Sequence, residues 1–556
     1  MAQIPATFHD FRFLVYPMPY SVRETFPMSR ESFVPPASQN QTDVFAVHGA
    51  DPEVLAYAMA KYSRSALSMR ESLAEIGAQR AEQFLNTFYF QYGHRSIADL
   101  AHIAFAVERL SLLAAILLVD EQRWDGQERS TRYQNFLKSG WYLPDFGTDA
   151  ASAALYTSTI GNLFAAYQQT NISVLEVLRR RIPCPATLDE AAWLRTLRAR
   201  AFDVARYLLP LATNTSLGQI VSARTLETQV SRLLGSPLAE VRELALKLRD
   251  AATGPAWNVQ AASAQTLVDK IAAANPELAA EAAALLQREV RTAPTLVKYA
   301  AANPYQQQTN AELTSAAAEL LSGLPIAAAP VVDLVERTET LEVELASTLL
   351  YSASHHSYRQ IRDLVATLPE ARVNEIVDLG LRHRSRHDEA LRAFHAGAAL
   401  RFDILMDIGG FRDMHRHRRC TQIIQGFTTQ HGFETPSNCD LPEGIDLLAE
   451  AGALESFQAA INAAHAASQT IAASQAPEAA ASALYLLPLA TRIRSLFKMD
   501  FAEAQYISEL RSGPAGHFSY RRVAWEMFLA LQKQHPSLAK HIRVTDFTQP
   551  IDLLQR

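Results

Sequence analysis

The stretch YLLPLAT spans Tyr207–Thr213 and recurs letter for letter at Tyr485–Thr491. The two copies are separated by half the length of the 556-residue chain. Seven identical residues at that spacing indicate an internal duplication. Proline has no backbone N–H and disfavours helix at the residue before it, so each copy is predicted to lie where a helix ends.

The duplication extends upstream of the heptapeptide. Each half carries two histidines eight residues apart and an arginine 21 residues after the later histidine: His94, His102 and Arg123 in the first half, and His387, His395 and Arg416 in the second. Single spacings are weak evidence, but the same order ahead of the same heptapeptide strengthens the case for two copies of one fold.

Periodicity predicts a helix-rich α+β fold built from two tandem copies, each a small mixed sheet with long helices. The best strand candidates are Ile103–Leu118 and Phe402–Ile408. Thr187–Glu190 has capping-box spacing and predicts a helix that runs to about Leu209. The expected divisions are an N-terminal extension (1–43), a first repeat (44–320), a connector (321–335) and a second repeat (336–556).

Composition limits the class of protein. The chain is 48% hydrophobic and 20% charged, and no apolar run reaches the roughly 18 residues of a membrane helix. Three cysteines without paired or metal-type spacing predict no disulfide framework, and we expect a cytoplasmic protein without a membrane partner. A net charge of −6 argues against a broad nucleic-acid surface, so a bound anion should be small and held by local arginines.

Three polar stretches are candidates for chemistry. FRDMHRHRR at 411–419 offers many N–H donors, which suit a phosphate or a polarised carbonyl, although a solvated basic face is the ordinary alternative. ERSTRY at 128–133 is either an anion-binding loop or an ordinary surface loop. Arg494 and Arg511 follow the second heptapeptide. The histidines lack Cys or carboxylate partners at metal spacing, so no metal site is predicted.

Taken together, these residues resemble the flavin-dependent thymidylate synthases. That family has a motif R-H-R-x-x-S-x-N-E-x-S-x-R, preceded by a G-H-E-S/T segment and followed by L-P-L, an arginine six residues after the proline, N-A-R-x-L and a late L-R. The matching pieces are YGHRS at 92–96, ERSTRY at 128–133 and SARTL at 222–226 in the first half, and Arg416–Arg418, Arg494 and Leu510–Arg511 in the second.

Neither half holds the whole motif. At the R-H-R position the first copy has Asp120–Gln122 counting back from Arg132, or Arg123–Asp125 counting from His102. At the E-x-S-x-R position the second copy has Ile424–Thr428. Members of the family are homotetramers whose nucleotide sites lie between chains, with the S-x-R loop supplied by one chain and the arginines by another. The resemblance therefore implies a fused pseudo-dimer with one composite site, which would dimerise to reproduce the tetramer.

The resemblance implies reductive methylation of dUMP, with the methylene from methylenetetrahydrofolate and the hydride from FAD reduced by NADPH. By the same resemblance, Glu128, Ser130, Thr131 and Arg132 bind the nucleotide. Arg494 and Arg511 contact the pyrimidine and stabilise its charge, and Arg416 is a further catalytic arginine. Arg416, His417 and Arg418 contact FAD and folate, and His94, Ser96 and Arg224 contact the flavin.

Four alternatives remain open on the sequence. Because the motif is broken in both halves, the chain is either an active synthase or a flavin or nucleotide enzyme of the same fold with a different substrate. A non-catalytic binding or scaffold protein is the third reading. A basic-patch nucleic-acid binder is the last and least supported.

Overall fold

The two copies of YLLPLAT lie side by side and pair through their backbones. The N–H of Leu211 donates to the Leu487 carbonyl at 2.8 Å, and the N–H of Leu489 donates to the Leu209 carbonyl at 2.9 Å. A second reciprocal pair joins Ala212 to Tyr485 and Ala490 to Tyr207. Because each bond has a counterpart with donor and acceptor copies exchanged, the two halves are related by an approximate two-fold axis at this point.

The computed structural model describes residues 45, 47, 49–61, 69–75, 97–298, 300–336, 339–385, 388, 390–436, 446–540 and 542–554. In these ranges the strands are β1 (His102–Ser111), β2 (Asp125–Glu128), β3 (Asn214–Ser222), β4 (Val332–Leu334), β5 (Leu400–Asp407), β6 (Thr421–Ile424) and β7 (Arg492–Met499). The predicted extension (1–43) lies outside the described residues, and the predicted repeat boundaries stay predictions.

The α-helices of the described first half are Pro52–Lys61, Met69–Glu75, Leu112–Leu118, Ala150–Arg181, Glu190–Ala205, Ala223–Leu234, Ala239–Thr253, Ala261–Ala272, Pro276–Leu286 and Pro304–Leu320. Those of the second half are Leu341–Ser352, Tyr358–Val365, Glu370–Leu379, Ile408–Met414, Leu447–Glu450, Leu454–Ala472, Ala479–Ala483, Phe501–Ser512, Phe518–Gln534 and Pro536–Ala539. Short 3₁₀ turns are Arg206–Leu208, Arg392–Phe394 and Leu484–Leu486.

The strands form one sheet in each half with matching order. The first sheet runs β1-β3-β2 and the second runs β4-β5-β7-β6, so β5, β6 and β7 repeat β1, β2 and β3. Every described pair is antiparallel. The prediction of a helix-rich α+β fold with small sheets is confirmed, but the sheets are not mixed, because β3 and β7 each lie between two strands that run against them.

The turn after the first strand is also repeated. Ser111 ends β1 and Asp407 ends β5, and each side chain accepts a hydrogen bond from the backbone of the next helix, which caps that helix. The expected strand Ile103–Leu118 is therefore correct only up to Ser111. The apolar run Leu112–Leu118 is a buried helix, which periodicity alone does not separate from a strand.

The helix before the first heptapeptide ends close to the predicted position. It runs from Glu190 to Ala205 and continues as one 3₁₀ turn, Arg206–Leu208, so the proline does end it. Its start differs from the prediction, because Asp189 rather than Thr187 accepts the capping hydrogen bond from the Ala192 N–H.

One hydrophobic core contains residues from both halves. The long helices Ala150–Arg181 and Leu454–Ala472, one from each half, pack against each other and contribute buried side chains to it. A smaller core joins one face of the second sheet to the helices Leu341–Ser352 and Tyr358–Val365. Among the described residues, no helix combines the length and the apolar character that crossing a membrane requires.

We expect the two heptapeptides to contribute equally to stability. Leu211 and Leu489 are both 0% exposed and occupy equivalent positions, so Leu211→Ala and Leu489→Ala should each lower the free energy of unfolding by about 2–5 kcal/mol. Urea denaturation measures the effect, with Leu285→Ala at a 78% exposed position as the control. A large loss for one variant and none for the other would contradict the equivalence.

Candidate functional site

The ERSTRY loop of the first half docks on the second half through Arg132. This side chain is 7% exposed. Its Nη1 donates to the Tyr520 hydroxyl at 2.8 Å and its Nη2 donates to the Ala515 carbonyl at 3.1 Å. Its Nε donates to Asp203 at 2.8 Å, which makes a buried ion pair within the first half. Within the same loop, the Ser130 hydroxyl accepts from the Arg132 N–H at 3.2 Å.

Tyr520 brings motif arginines from both copies to one ring. The guanidinium carbon of Arg132 lies 5.7 Å from the ring centroid, and that of Arg511 lies 5.4 Å from it. Both distances are in the range of cation–π attraction. Two arginines that lie far apart in the sequence are thus held near each other, as the composite-site interpretation requires.

A buried arginine that the sequence analysis did not single out lies beside this loop. Arg206 is 2% exposed, and its Nη1 is 3.4 Å from the Thr131 hydroxyl and 3.5 Å from a carboxylate oxygen of Asp413. Its Nε and Nη2 have no hydrogen-bond partner among the described residues. Unused donors on a buried charge are costly, so Arg206 is suited to receive an anion.

The field of Arg206 reaches two neighbouring titratable groups. Burial, together with the Arg206 guanidinium, lowers the pKa of His517 well below its ordinary value. Burial raises the pKa of Asp407, and Arg206 opposes that rise. His517 is therefore neutral beside Arg206 at pH 7.

The equivalent positions in the other copy lack this chemistry. When the repeated strands and helix starts are aligned, each site residue has an equivalent position in the other copy. The residues equivalent to Arg132, Asp203, Arg206, Arg511 and Tyr520 are, in that order, Thr428, Ala481, Leu484, Leu233 and Val241. The polar cluster therefore exists once in the described chain. The residue just before the heptapeptide is Arg206 in the first copy and Leu484 in the second. This difference is the sequence signal that could have revealed the arginine.

The R-H-R segment meets carboxylates of the first half. Glu128 is buried and pairs with Arg412 at 2.8 Å and with Arg416 at 3.3 Å. Arg418 pairs with Asp125 at 2.8 Å.

A further acidic residue of the first half faces a basic residue of the second half. His415 lies 3.2 Å from Asp120. Acids from the loop and strand at 120–128 thus face bases from 412–418, and the basic side chains outnumber the acidic ones.

His417 points away from its two arginine neighbours. Its Nε2 lies 2.8 Å from the Nε of Arg511, and its Nδ1 lies 3.6 Å from a carboxylate oxygen of Glu503. The structure therefore joins the R-H-R segment directly to the late arginine, which were separate motif fragments in the sequence.

Arg494 lies on the far side of the second sheet. Its Nη1 donates to the buried Asp403 at 2.9 Å, and it shares its face of β7 with Leu496, which packs in the smaller core. Tyr520 packs in the larger core. The structure does not bring Arg494 to the arginine cluster, and its role as a nucleotide contact stays a prediction.

Of the remaining flavin candidates, the structure describes Arg224. Arg224 is half-buried and pairs with Asp99 at 3.1 Å. His94 and Ser96 lie outside the described residues, so their predicted contacts stay predictions. In the part of the chain that the structure describes, no three His, Cys, Asp or Glu residues are arranged to hold a metal ion.

Residues 46–254 and 333–537 match the family described as Thymidylate synthase complementing protein. These two matches cover most of the chain, and the protein belongs to this family. The predicted resemblance, as two tandem copies, is confirmed.

Relatives of similar length carry names that assign no activity. The chain is 28% identical over 526 residues to a UPF0159 protein of Chlamydia muridarum (strain MoPn / Nigg), covering 90% of this chain and 91% of the relative. It is 25% identical over 531 residues to the UPF0159 protein Ta1429 of Thermoplasma acidophilum, covering 88% and 94%. A solved Helicobacter pylori thymidylate synthase X with FAD and dUMP matches at 19% identity and a TM-score of 0.22, over 36% of this chain and 88% of that one.

The buried Arg132–Asp203 pair should behave as a coupled unit. Asp203→Leu strands the buried guanidinium and should cost about 3–5 kcal/mol of unfolding free energy, whereas adding Arg132→Met to it should recover part of that loss. Denaturant midpoints of the two single variants and the double variant measure the coupling. A double variant less stable than Asp203→Leu alone would show that Arg132 has other contacts of greater weight.

Proposed function

We propose that this protein is a flavin-dependent thymidylate synthase with one nucleotide site per chain, built from both copies. Membership of the family supports the reaction class. The observation that carries the proposal is Arg206, a buried guanidinium with two unused donors beside Thr131 of the ERSTRY loop. The substrate we propose is dUMP, whose phosphate supplies the acceptors that Arg206 lacks.

The site residues have separable tasks in this proposal. Arg206, Ser130 and Thr131 bind the phosphate, since charge-assisted hydrogen bonds to phosphate are strong and directional. Arg132 anchors the loop to the second half, because Asp203 and Tyr520 already occupy its donors. Glu128 orients Arg412 and Arg416 towards the same region.

Arg511 stabilises the negative charge that develops on the pyrimidine during methyl transfer. Its guanidinium is held by the Tyr520 ring on one side and by His417 on the other, so its position is set before the substrate arrives. A fixed cation at a site of developing charge lowers the barrier by about 2–4 kcal/mol, by analogy with oxyanion-stabilising donors.

The R-H-R segment fits an anionic dinucleotide. Arg412, Arg416 and Arg418 share the two carboxylates Glu128 and Asp125, which leaves positive charge, and Arg416 and Arg418 are about one-third exposed. FAD, when bound and reduced by NADPH, supplies the hydride, and methylenetetrahydrofolate supplies the carbon. This chain's arginines would hold the pyrophosphate of the cofactor. We further propose that two chains associate, as the family's tetramers suggest.

The first experiment tests the flavin and then the reaction. Purified protein, with and without added FAD, is examined for flavin absorbance, and tritium release from 5-labelled dUMP is then measured with methylenetetrahydrofolate and NADPH. Bound flavin with release supports the synthase. Bound flavin without release rejects the synthase and keeps a flavoprotein with another substrate. A protein that fails to take up FAD overturns both.

Nucleotide binding should depend on residues from both copies. Arg206→Leu, which installs the residue found in the other copy, and Arg511→Ala should each weaken dUMP binding by at least tenfold, because each removes charge-assisted hydrogen bonds. Calorimetric titration measures the affinity. Leu484→Ala at the equivalent position and Arg195→Ala on the exposed surface are the controls. Unchanged binding by Arg511→Ala would reject a site shared by the copies.

A second candidate is a non-catalytic nucleotide-binding protein. The observation that favours it is the pairing of the motif arginines with carboxylates of the same chain: Arg132 with Asp203, Arg416 with Glu128, Arg418 with Asp125 and Arg494 with Asp403. Arginines already neutralised attract a cofactor phosphate less strongly. Binding of dUMP without flavin uptake would select this candidate.

A further inference from the structure

The histidine of the R-H-R segment is enclosed by the second half. His417 is 5% exposed, and the helix Phe501–Ser512 covers it with Glu503, Tyr506 and Arg511. The Tyr506 ring meets the imidazole edge-on at 5.8 Å. The backbone carbonyl of His417 accepts hydrogen bonds from the Cys420 thiol and the Gln422 amide. A side chain held from several directions is poorly placed to turn towards a cofactor.

The chemistry of arginine fixes the protonation state of His417. The Arg511 Nε–H is a donor only, so the Nε2 of His417 at 2.8 Å must be the acceptor. The single proton of the neutral ring then lies on Nδ1, which faces Glu503 at 3.6 Å, an electrostatic contact rather than a hydrogen bond. The order Glu503, His417, Arg511 therefore defines one tautomer.

We propose that His417 is a positioning residue that holds Arg511 in place through its neutral Nδ1–H tautomer, so that nucleotide binding weakens when His417 gains a second proton. The inference rests on the proposed function in that Arg511 is taken to contact the nucleotide. It replaces the expectation that His417 contacts the cofactor.

The charged surroundings set the direction of the effect. Burial lowers the pKa of His417 from its ordinary value, Glu503 raises it and Arg511 lowers it. Further titratable groups on the packed elements are Arg419, which lies 4.0 Å from Glu503 and 3.7 Å from Asp500, and the thiol of Cys420. Since the net direction is downward, His417 is neutral at pH 7. As the pH falls through its pKa, Nε2 gains a proton, ceases to accept and repels Arg511.

A matched pair of variants separates positioning from packing. His417→Gln keeps an acceptor for Arg511 but cannot gain a proton, whereas His417→Leu fills a similar volume without an acceptor. We expect His417→Leu to lose tenfold to hundredfold in dUMP affinity at pH 7.5, the range for one hydrogen bond to a charged group. His417→Gln should bind within a few fold of the unmodified protein. Equal affinity for the leucine and glutamine variants would overturn the proposal.

The pH dependence of dUMP affinity separates a positioning role of His417 from a role in packing alone. Between pH 5 and 8 the unmodified protein should lose affinity in acid beyond what the nucleotide phosphate itself causes by titrating near pH 6. The profile of His417→Gln reports the phosphate contribution alone. Glu503→Gln removes the group that raises the pKa of His417, so the extra loss should move to lower pH. His383→Gln is the control and should leave the profile unchanged, because the His383 ring lies 2.9 Å from Glu312, on the helix Pro304–Leu320.

An independent measurement works even if dUMP does not bind. Ring ¹⁵N spectra of histidine-labelled full-length protein, with the His417 signals assigned by their loss in His417→Gln, report the tautomer directly. We expect a neutral ring protonated on Nδ1 at pH 7.5. A ring protonated on Nε2, or a charged ring, would overturn the proposal. Correct tautomer without dUMP binding would reject the proposed function and keep the positioning geometry.

Discussion

Four buried backbone hydrogen bonds between the two heptapeptides set the arrangement of both sheets. They fix one copy against the other, and the strands β3 and β7 begin directly after them. The last residue of each heptapeptide, Thr213 or Thr491, also accepts a hydrogen bond from the start of the helix that follows β1 or β5. Both sheets and both capped helices are therefore aligned by one contact. The ERSTRY loop reaches Tyr520 because this alignment places the end of β2 beside the helix Phe518–Gln534.

Duplication allowed the two copies to specialise. In a symmetric pair of identical chains, every site residue appears twice, and no position can change in one site alone. Here the first copy keeps Arg206 where the second has Leu484, and the second keeps Arg511 where the first has Leu233. The equivalent region of the other copy has small or apolar residues in place of the charged ones, so its stability no longer bears the cost of buried charge.

The sequence was informative wherever a local pattern decided the structure. The heptapeptide, the helix end at Pro210, β5 and the division of the motif could all be predicted from neighbouring residues. The misassigned run Leu112–Leu118 is uniformly apolar, and its helix depends on a cap from Ser111 that periodicity does not detect.

Features set by distant partners could not be predicted. Arg132 pairs with Asp203, which lies 71 residues away, and the side of the sheet that Arg494 occupies depends on strand alternation and on Asp403. Arg206 has no motif at all. The role proposed for it rests on hydrogen-bond donors left unused in the folded interior, which only the three-dimensional arrangement reveals.

The separation of acids and bases between the copies determines which surfaces can recognise each other. Asp120, Asp125 and Glu128 come from the first copy, and the arginines and histidine that meet them come from the second. If two chains exchanged partners so that like copies met, carboxylates would face carboxylates and guanidinium groups would face guanidinium groups. Such pairings are disfavoured by repulsion. The charge pattern of the fused chain thus disfavours association between like copies.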